Sequence, residues 1–159
     1  TSRPNIVLIV LEGFGRTTAT TTAEGKAAAL LRKLEWVLAR PLPWHKVGLA
    51  HLLGQKVSGG DPDLHCAVIR LVQGERLTAL FKKAAALGVG IELNTATFSF
   101  GSDAEREAVT AFYAHAKECG CKFFFGSDAH GAAQFEPHRQ RGQAMADALG
   151  LTEADIFRV

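Results

Sequence analysis

Apolar residues in this chain fall into short runs separated by longer amphipathic stretches. Asn5 to Leu11 (NIVLIVL) is β-branched and apolar and predicts a buried strand, ended by Glu12-Gly13-Phe14-Gly15. A polar loop from Thr17 to Thr22 follows, and Thr21-Thr22-Ala23-Glu24 has the spacing of a capping box. From there Ala27, Leu30, Leu31, Leu34, Val37 and Leu38 recur at helical spacing up to Arg40, and Pro41 and Pro43 stop the helix. Lys46 to Leu52 predicts a second strand with His51 near its end, and Gly54 to Leu64 a loop. Cys66 to Val72 leans towards helix. Glu75 to Leu87 predicts a helix closed by Gly88. Val89 to Leu93 predicts a third strand, ending in Asn94. Ser102-Asp103-Ala104-Glu105 is a second capping box, opening a helix to about Glu118 that Gly120 caps. Lys122 to Phe125 predicts a fourth strand. Pro137 suits the first turn of a last helix running to Leu149, with Gly150 after it.

The order is strand then helix, four times. Helical crossovers between strands imply parallel neighbours and right-handed connections. The expected fold class is α/β, a single domain over residues 1–159 whose parallel βα units make half of a barrel or a small open sheet.

Composition narrows the partners more than the fold. The chain has 159 residues, 47% of them hydrophobic, and a formal net charge of +2, so nothing global points to nucleic acid. No apolar run approaches the roughly 20 residues of a membrane helix, and Thr1-Ser2-Arg3-Pro4 does not open a signal peptide. The three cysteines, Cys66, Cys119 and Cys121, are odd in number and form no C-x-x-C pair. Free thiols in a reducing cytoplasm are expected rather than a disulfide framework.

The candidate chemistry lies at the strand ends. The apolar run Phe123-Phe124-Phe125 breaks at Gly126 and delivers Ser127-Asp128-Ala129-His130-Gly131. A carboxylate and an imidazole converging from one turn suit a metal ion, and parallel sheets carry their chemistry just past the carboxyl ends of the strands. Glu12, His51, Glu92 and Asn94 end the other strands, each able to bind a metal or position a substrate. Each also has a plainer reading: a solvated glutamate at Glu12, a hydrogen-bonded structural histidine at His51, and a supporting pair at Glu92 and Asn94. Of the remaining histidines, His45 sits at a strand start, His65 in a loop beside Cys66, and His115 on the exposed side of a helix. His138, Arg139 and Arg141 read as a solvated helix face, with a phosphate contact as the alternative.

GIELN at Gly90 to Asn94, followed by FGSDAHG at Phe125 to Gly131, resembles the PHP (polymerase and histidinol phosphatase) family. Gly48-Leu49-Ala50-His51 is similar to that family's strand ending in a metal-binding histidine, and the closing IFRV to the stretch after its last helix. The resemblance covers His51 to Val159. It implies the C-terminal part of a distorted (β/α)7 TIM-like barrel, two or three manganese, zinc or iron ions at its rim, and phosphoester hydrolysis. Carried over residue by residue, the metal ligands are His51, Asp128 and His130, with Glu12 as a fourth. Glu12 matches either a glutamate ligand ending an earlier family strand or a later strand whose ligand is a histidine, where Gly15 falls near the ligand's place. Asp128 and His130 are the catalytic candidates, and Asn94 and Arg139 the substrate-binding ones.

The chain contains no H-x-H motif, which opens the family's first strand. About the first third of a normal member is therefore expected to be missing, and the open sheet edge predicts a homo-oligomer or association with an N-terminal segment. The functional expectation is a metal-dependent phosphoesterase acting on a small phosphorylated substrate, with no membrane partner. The alternatives are a degenerate, non-catalytic PHP scaffold and an amidohydrolase-type metal hydrolase acting on C–N bonds.

Overall fold

A computed structural model describes residues 8–9, 22–39, 46–47 and 61–158. In chain order the elements are β1 (Leu8–Ile9), α1 (Ala23–Leu38), β2 (Lys46–Val47), α2 (Pro62–Val72), α3 (Glu75–Ala86), β3 (Gly90–Asn94), a 3-10 turn at Thr95–Thr97, α4 (Asp103–Glu118), β4 (Lys122–Gly126), α5 (Ala132–Leu149) and a second 3-10 turn at Glu153–Asp155.

Local chemistry sets these boundaries. The Thr22 hydroxyl caps α1 by accepting from the Gly25 amide, one residue later than the capping-box spacing predicts. The buried stripe of α1 is Ala27, Leu30, Leu31, Leu34, Val37 and Leu38, as the helical spacing predicts. Asp61 caps α2, its carboxylate accepting from the Asp63 and Leu64 amides, and Pro62 takes the first helical position. That helix thus begins inside the stretch expected to be loop. Ser102 caps α4 by accepting from the Glu105 amide. Gly150, in the left-handed region at φ 60°, ends α5. The last helix starts at Ala132, so Pro137 lies inside it rather than in its first turn. Proline has no amide to donate to the carbonyl one turn back, at the exposed Ala133.

Among the described residues the strand pairings are parallel, in the order β1-β2-β3-β4. The sheet is essentially two five-residue strands, β3 and β4, paired from Gly90↔Lys122 to Asn94↔Gly126. Among the described residues, two-residue pairings extend it through β2 to β1, and helices of 16, 11, 12, 16 and 18 residues far outweigh the two five-residue and two two-residue strands.

The expectation of a (β/α)7 barrel portion is therefore corrected, for two physical reasons. A barrel needs each strand bonded along its length to neighbours on both sides. Here the outer edge of β4 is met by the segment after α5 instead: Ile156 bridges Phe123, and the Phe157 amide donates to the Phe123 carbonyl at 2.7 Å. The Phe157 ring lies over Gly90, where a Cβ would stand 2.6 Å from its Cγ. In addition, the helices pack chiefly on one another, α1 on α2 and α3, and α2 on α4.

The core lies where these helices meet β3 and β4. Leu30, Leu34, Ile69, Leu77, Phe81, Ile91, Leu93, Phe112, Tyr113 and Phe123 are its largest fully buried side chains. Phe81 and Phe112 meet edge to face, with ring centres 5.4 Å apart. Cys121 joins them, its thiol donating to the Phe81 carbonyl at 3.3 Å. Burial pushes that thiol up to about 12.

Candidate functional site

The site is built at the carboxyl end of β4. The strand runs from the buried Phe123 to Gly126, and the chain then turns into α5 through Ser127-Asp128-Ala129-His130-Gly131. The turn needs a residue in the left-handed region, and Asp128 occupies it at φ 47°. Aspartate is among the few non-glycine residues that enter this region readily. Three hydrogen bonds hold the turn. The Ser127 hydroxyl accepts from the Ala129 amide at 3.4 Å, and the His130 amide donates to Gln134 Oε1 at 2.9 Å. His138 Nδ1 lies 2.7 Å from the Ser127 carbonyl. A carbonyl only accepts, so Nδ1 carries the proton.

His130 Nε2 and Asp128 Oδ1 stand 4.0 Å apart, with side chains 84% and 46% exposed. Two donors each about 2.1 Å from one ion at a tetrahedral angle stand about 3.4 Å apart. The pair is only slightly wider than that, and both side chains are free to rotate into solvent. A hard carboxylate and an imidazole therefore fit a divalent ion. They form an incomplete set by themselves, because no group of three or more His, Cys, Asp or Glu converges among the described residues. The other expected ligands, Glu12 and His51, lie outside the described residues.

The first amides of the neighbouring α5 donate to no capping side chain, because the cap residue is Gly131. They carry the positive end of the helix dipole and suit an anion.

The remaining candidates divide. Asn94 is buried, and its Oδ1 accepts from the Ala96 amide at 3.1 Å to cap the 3-10 turn. It shapes the end of β3 instead of facing solvent. Arg139 reaches the site's margin, but its guanidinium binds Glu136 through two hydrogen bonds of 2.8 and 2.7 Å. That contact holds the Glu136 carboxyl down at about 2. Glu92 is half-buried, and a Cβ at Gly126 would collide with its carboxylate.

Three histidines differ from their expected settings. His138 is buried against the turn instead of lying on a solvated face. His115 is half-buried, bonded to Gln73 and Thr78 at 2.8 Å each and set edge-on to Phe81. His65 lies in α2, fully enclosed, with Nδ1 2.7 Å from Glu105 Oε1. Glu105 Oε2 accepts from the Gly101 amide at 2.7 Å, whereas His65 Nε2 is buried without a partner among the described residues.

Beside the turn is a cleft of about 330 Å³ lined by Thr95, Phe125, Gly126, Ser127, Phe135, Arg139, Gly142 and Gln143. The sequence signalled Phe125 only as a strand residue and Phe135 not at all, because an apolar side chain facing solvent breaks the helical pattern that would reveal it.

No family model matches the chain, and neither a curated protein nor a solved structure matches it. Among the described residues, no helix is long and apolar enough to cross a membrane.

Proposed function

We propose that the protein is a metal-dependent phosphoesterase, with Asp128 and His130 holding a divalent ion at the carboxyl end of β4. The observation that carries this reading is the Asp128–His130 pair, 4.0 Å apart, open to solvent and set before a helix N-terminus without a side-chain cap. Manganese, zinc or iron suits these donors. Such an ion would act as a Lewis acid, lowering the pKa of water and offsetting charge on the phosphoryl oxygens. The chain's own residues do the rest. Asp128 presents its carboxylate because the turn fixes it at φ 47°. His138 fixes the turn against α5 through the Ser127 carbonyl. The first amides of α5 receive phosphoryl oxygens. Glu12 and His51 complete the ligand set in this reading. The free thiols of Cys66, Cys119 and Cys121 fit a cytoplasmic enzyme.

The test is elemental analysis of protein loaded with manganese, zinc or iron, together with phosphate release from a panel of phosphomonoesters. The wild type is expected to hold metal and release phosphate. His130→Ala and Asp128→Asn are expected to lose metal and at least about 100-fold in kcat/KM, since even supporting residues of metal sites cost about 10–100-fold. The reading falls if His130→Ala leaves both metal content and phosphate release intact. Cleavage of amides in place of phosphoesters would identify an amidohydrolase, and neither metal nor turnover a scaffold.

A further inference from the structure

We propose that the first turns of α5, from Ala132 to Glu136, are a flap hinged at Pro137, and that the Asp128–His130 pair is tied across this hinge. The hinge stands on the helix alone; its action on a metal ion rests on the metal-dependent reading above.

Packing along α5 stops at the proline. The buried positions His138, Gly142, Met145 and Leu149 recur at intervals of four, three and four. One further step towards the N-terminus reaches Gln134 or Phe135, yet every residue from Gly131 to Pro137 is exposed. The ladder of helical hydrogen bonds breaks at the same place, because Pro137 has no amide for the Ala133 carbonyl. Gly131 offers no side chain to the first amides. Side-chain contacts that bridge the proline are exposed: Arg139 donates to Glu136 at 2.8 and 2.7 Å, and Gln140 to the same carboxylate at 3.1 Å. Exposed ion pairs hold such a joint only weakly. A segment with few buried contacts and exposed hydrogen bonds belongs to the low-stability end of a fold.

The two members of the pair are fixed on opposite sides of this joint. On the Asp128 side, the Ser127 carbonyl receives a hydrogen bond from His138, which is buried in the part of α5 past the proline. On the His130 side, the His130 amide donates to Gln134 Oε1 in the flap at 2.9 Å. Asp128 therefore stays with the body of the molecule, while His130 moves with the flap. Their separation of 4.0 Å is wider than one shared ion requires and is the open setting of the joint. Chelation by both residues draws the flap onto the body, so order in the flap follows occupancy of the pair. Gln134 is a positioning residue here, acting through the His130 amide.

Amide hydrogen exchange, followed by NMR on the full chain, tests both halves. The amides of His138, Arg139 and Gln140 find their helical acceptors at Gln134, Phe135 and Glu136, so they report on the joint. They also lie beyond the four amides that any helix start leaves unbonded. These three are expected to exchange at least tenfold faster than Met145 and Ala146. Pro137→Ala, which restores a donor to the Ala133 carbonyl, is expected to slow them at least fivefold. Zinc alone, its uptake read by elemental analysis, is expected to slow them at least fivefold in the wild type and not in Gln134→Ala; Gln134 is exposed, so that variant folds. Exchange as slow as at Met145, or unchanged by Pro137→Ala, would overturn the hinge. Zinc uptake without a change in exchange, or with the same change in Gln134→Ala, would overturn its tie to the pair. Fast, proline-dependent exchange without zinc uptake would keep the hinge and remove the metal-dependent reading.

Discussion

In the proposed site Asp128 supplies both a carboxylate and a left-handed backbone turn. Its left-handed backbone costs a residue with a Cβ about 1–2 kcal/mol, less for aspartate than for most. Glycine would remove that cost, while adding chain entropy to the unfolded state. Asp128→Gly is thus expected to keep its unfolding free energy within about 1 kcal/mol of the wild type, and Asp128→Ala to fall about 1 kcal/mol below Asp128→Gly, both measured by urea titration. Both variants lose the carboxylate and are expected to lose metal alike. A wild-type metal content in Asp128→Gly would show that the backbone turn, not the side chain, is what matters. The motif was legible in the sequence because the strand, the glycine and the Asp-x-His turn are all local. The roles of Asn94 and His138 were not, because the partner of one is a backbone amide in a turn and that of the other a carbonyl across the loop.

At the scale of elements, local signals located most helices and missed their joints. The stripe of α1 and the Ser102 cap of α4 were legible from spacing alone. The start of α2 was not, because Asp61-Pro62 serves equally as a turn and as a helix N-terminus. Nor was the link between α2 and α4, in which Glu105 joins His65 to the Gly101 amide across 40 residues. Gly101 packs so tightly on Pro62 that a Cβ would lie 2.5 Å from the proline Cγ, which brings the two helix starts together. Glu105→Ala leaves the Gly101 amide and His65 Nδ1 without their acceptor. It is expected to cost about 2–4 kcal/mol in a denaturant titration, and Glu105→Gln, which still offers one oxygen, roughly half of that. Equal stability of Glu105→Ala and wild type would mean that the link does not hold the helices together.

For the molecule as a whole, strand and helix order was readable but the architecture was not. What separates a barrel from this arrangement is how far each strand is paired and what lies on its edges, and both depend on residues distant in sequence. The buried thiols report on the whole fold. Burial raises the pKa of Cys66, Cys119 and Cys121, with Cys121 pushed up to about 12. Above the ordinary thiol range the unfolded chain releases a proton that folded Cys121 keeps. Its contribution is therefore fully present at neutral pH and declines as pH rises from about 9 towards 12, by at most about 1.4 kcal/mol per pH unit. Iodoacetamide at pH 8 is expected to modify the half-buried Cys119 first, and Cys66 and Cys121 only at the rate of unfolding. Equal rates at all three, read by mass spectrometry, would contradict the enclosed core. The Ile156–Phe157 segment has a consequence for assembly as well. It belongs to the same chain as the β4 edge it meets, so it competes for that edge at the effective concentration of a tethered ligand, on the order of millimolar. A strand from another molecule has to outbid that local supply before it can add to the sheet at Phe123.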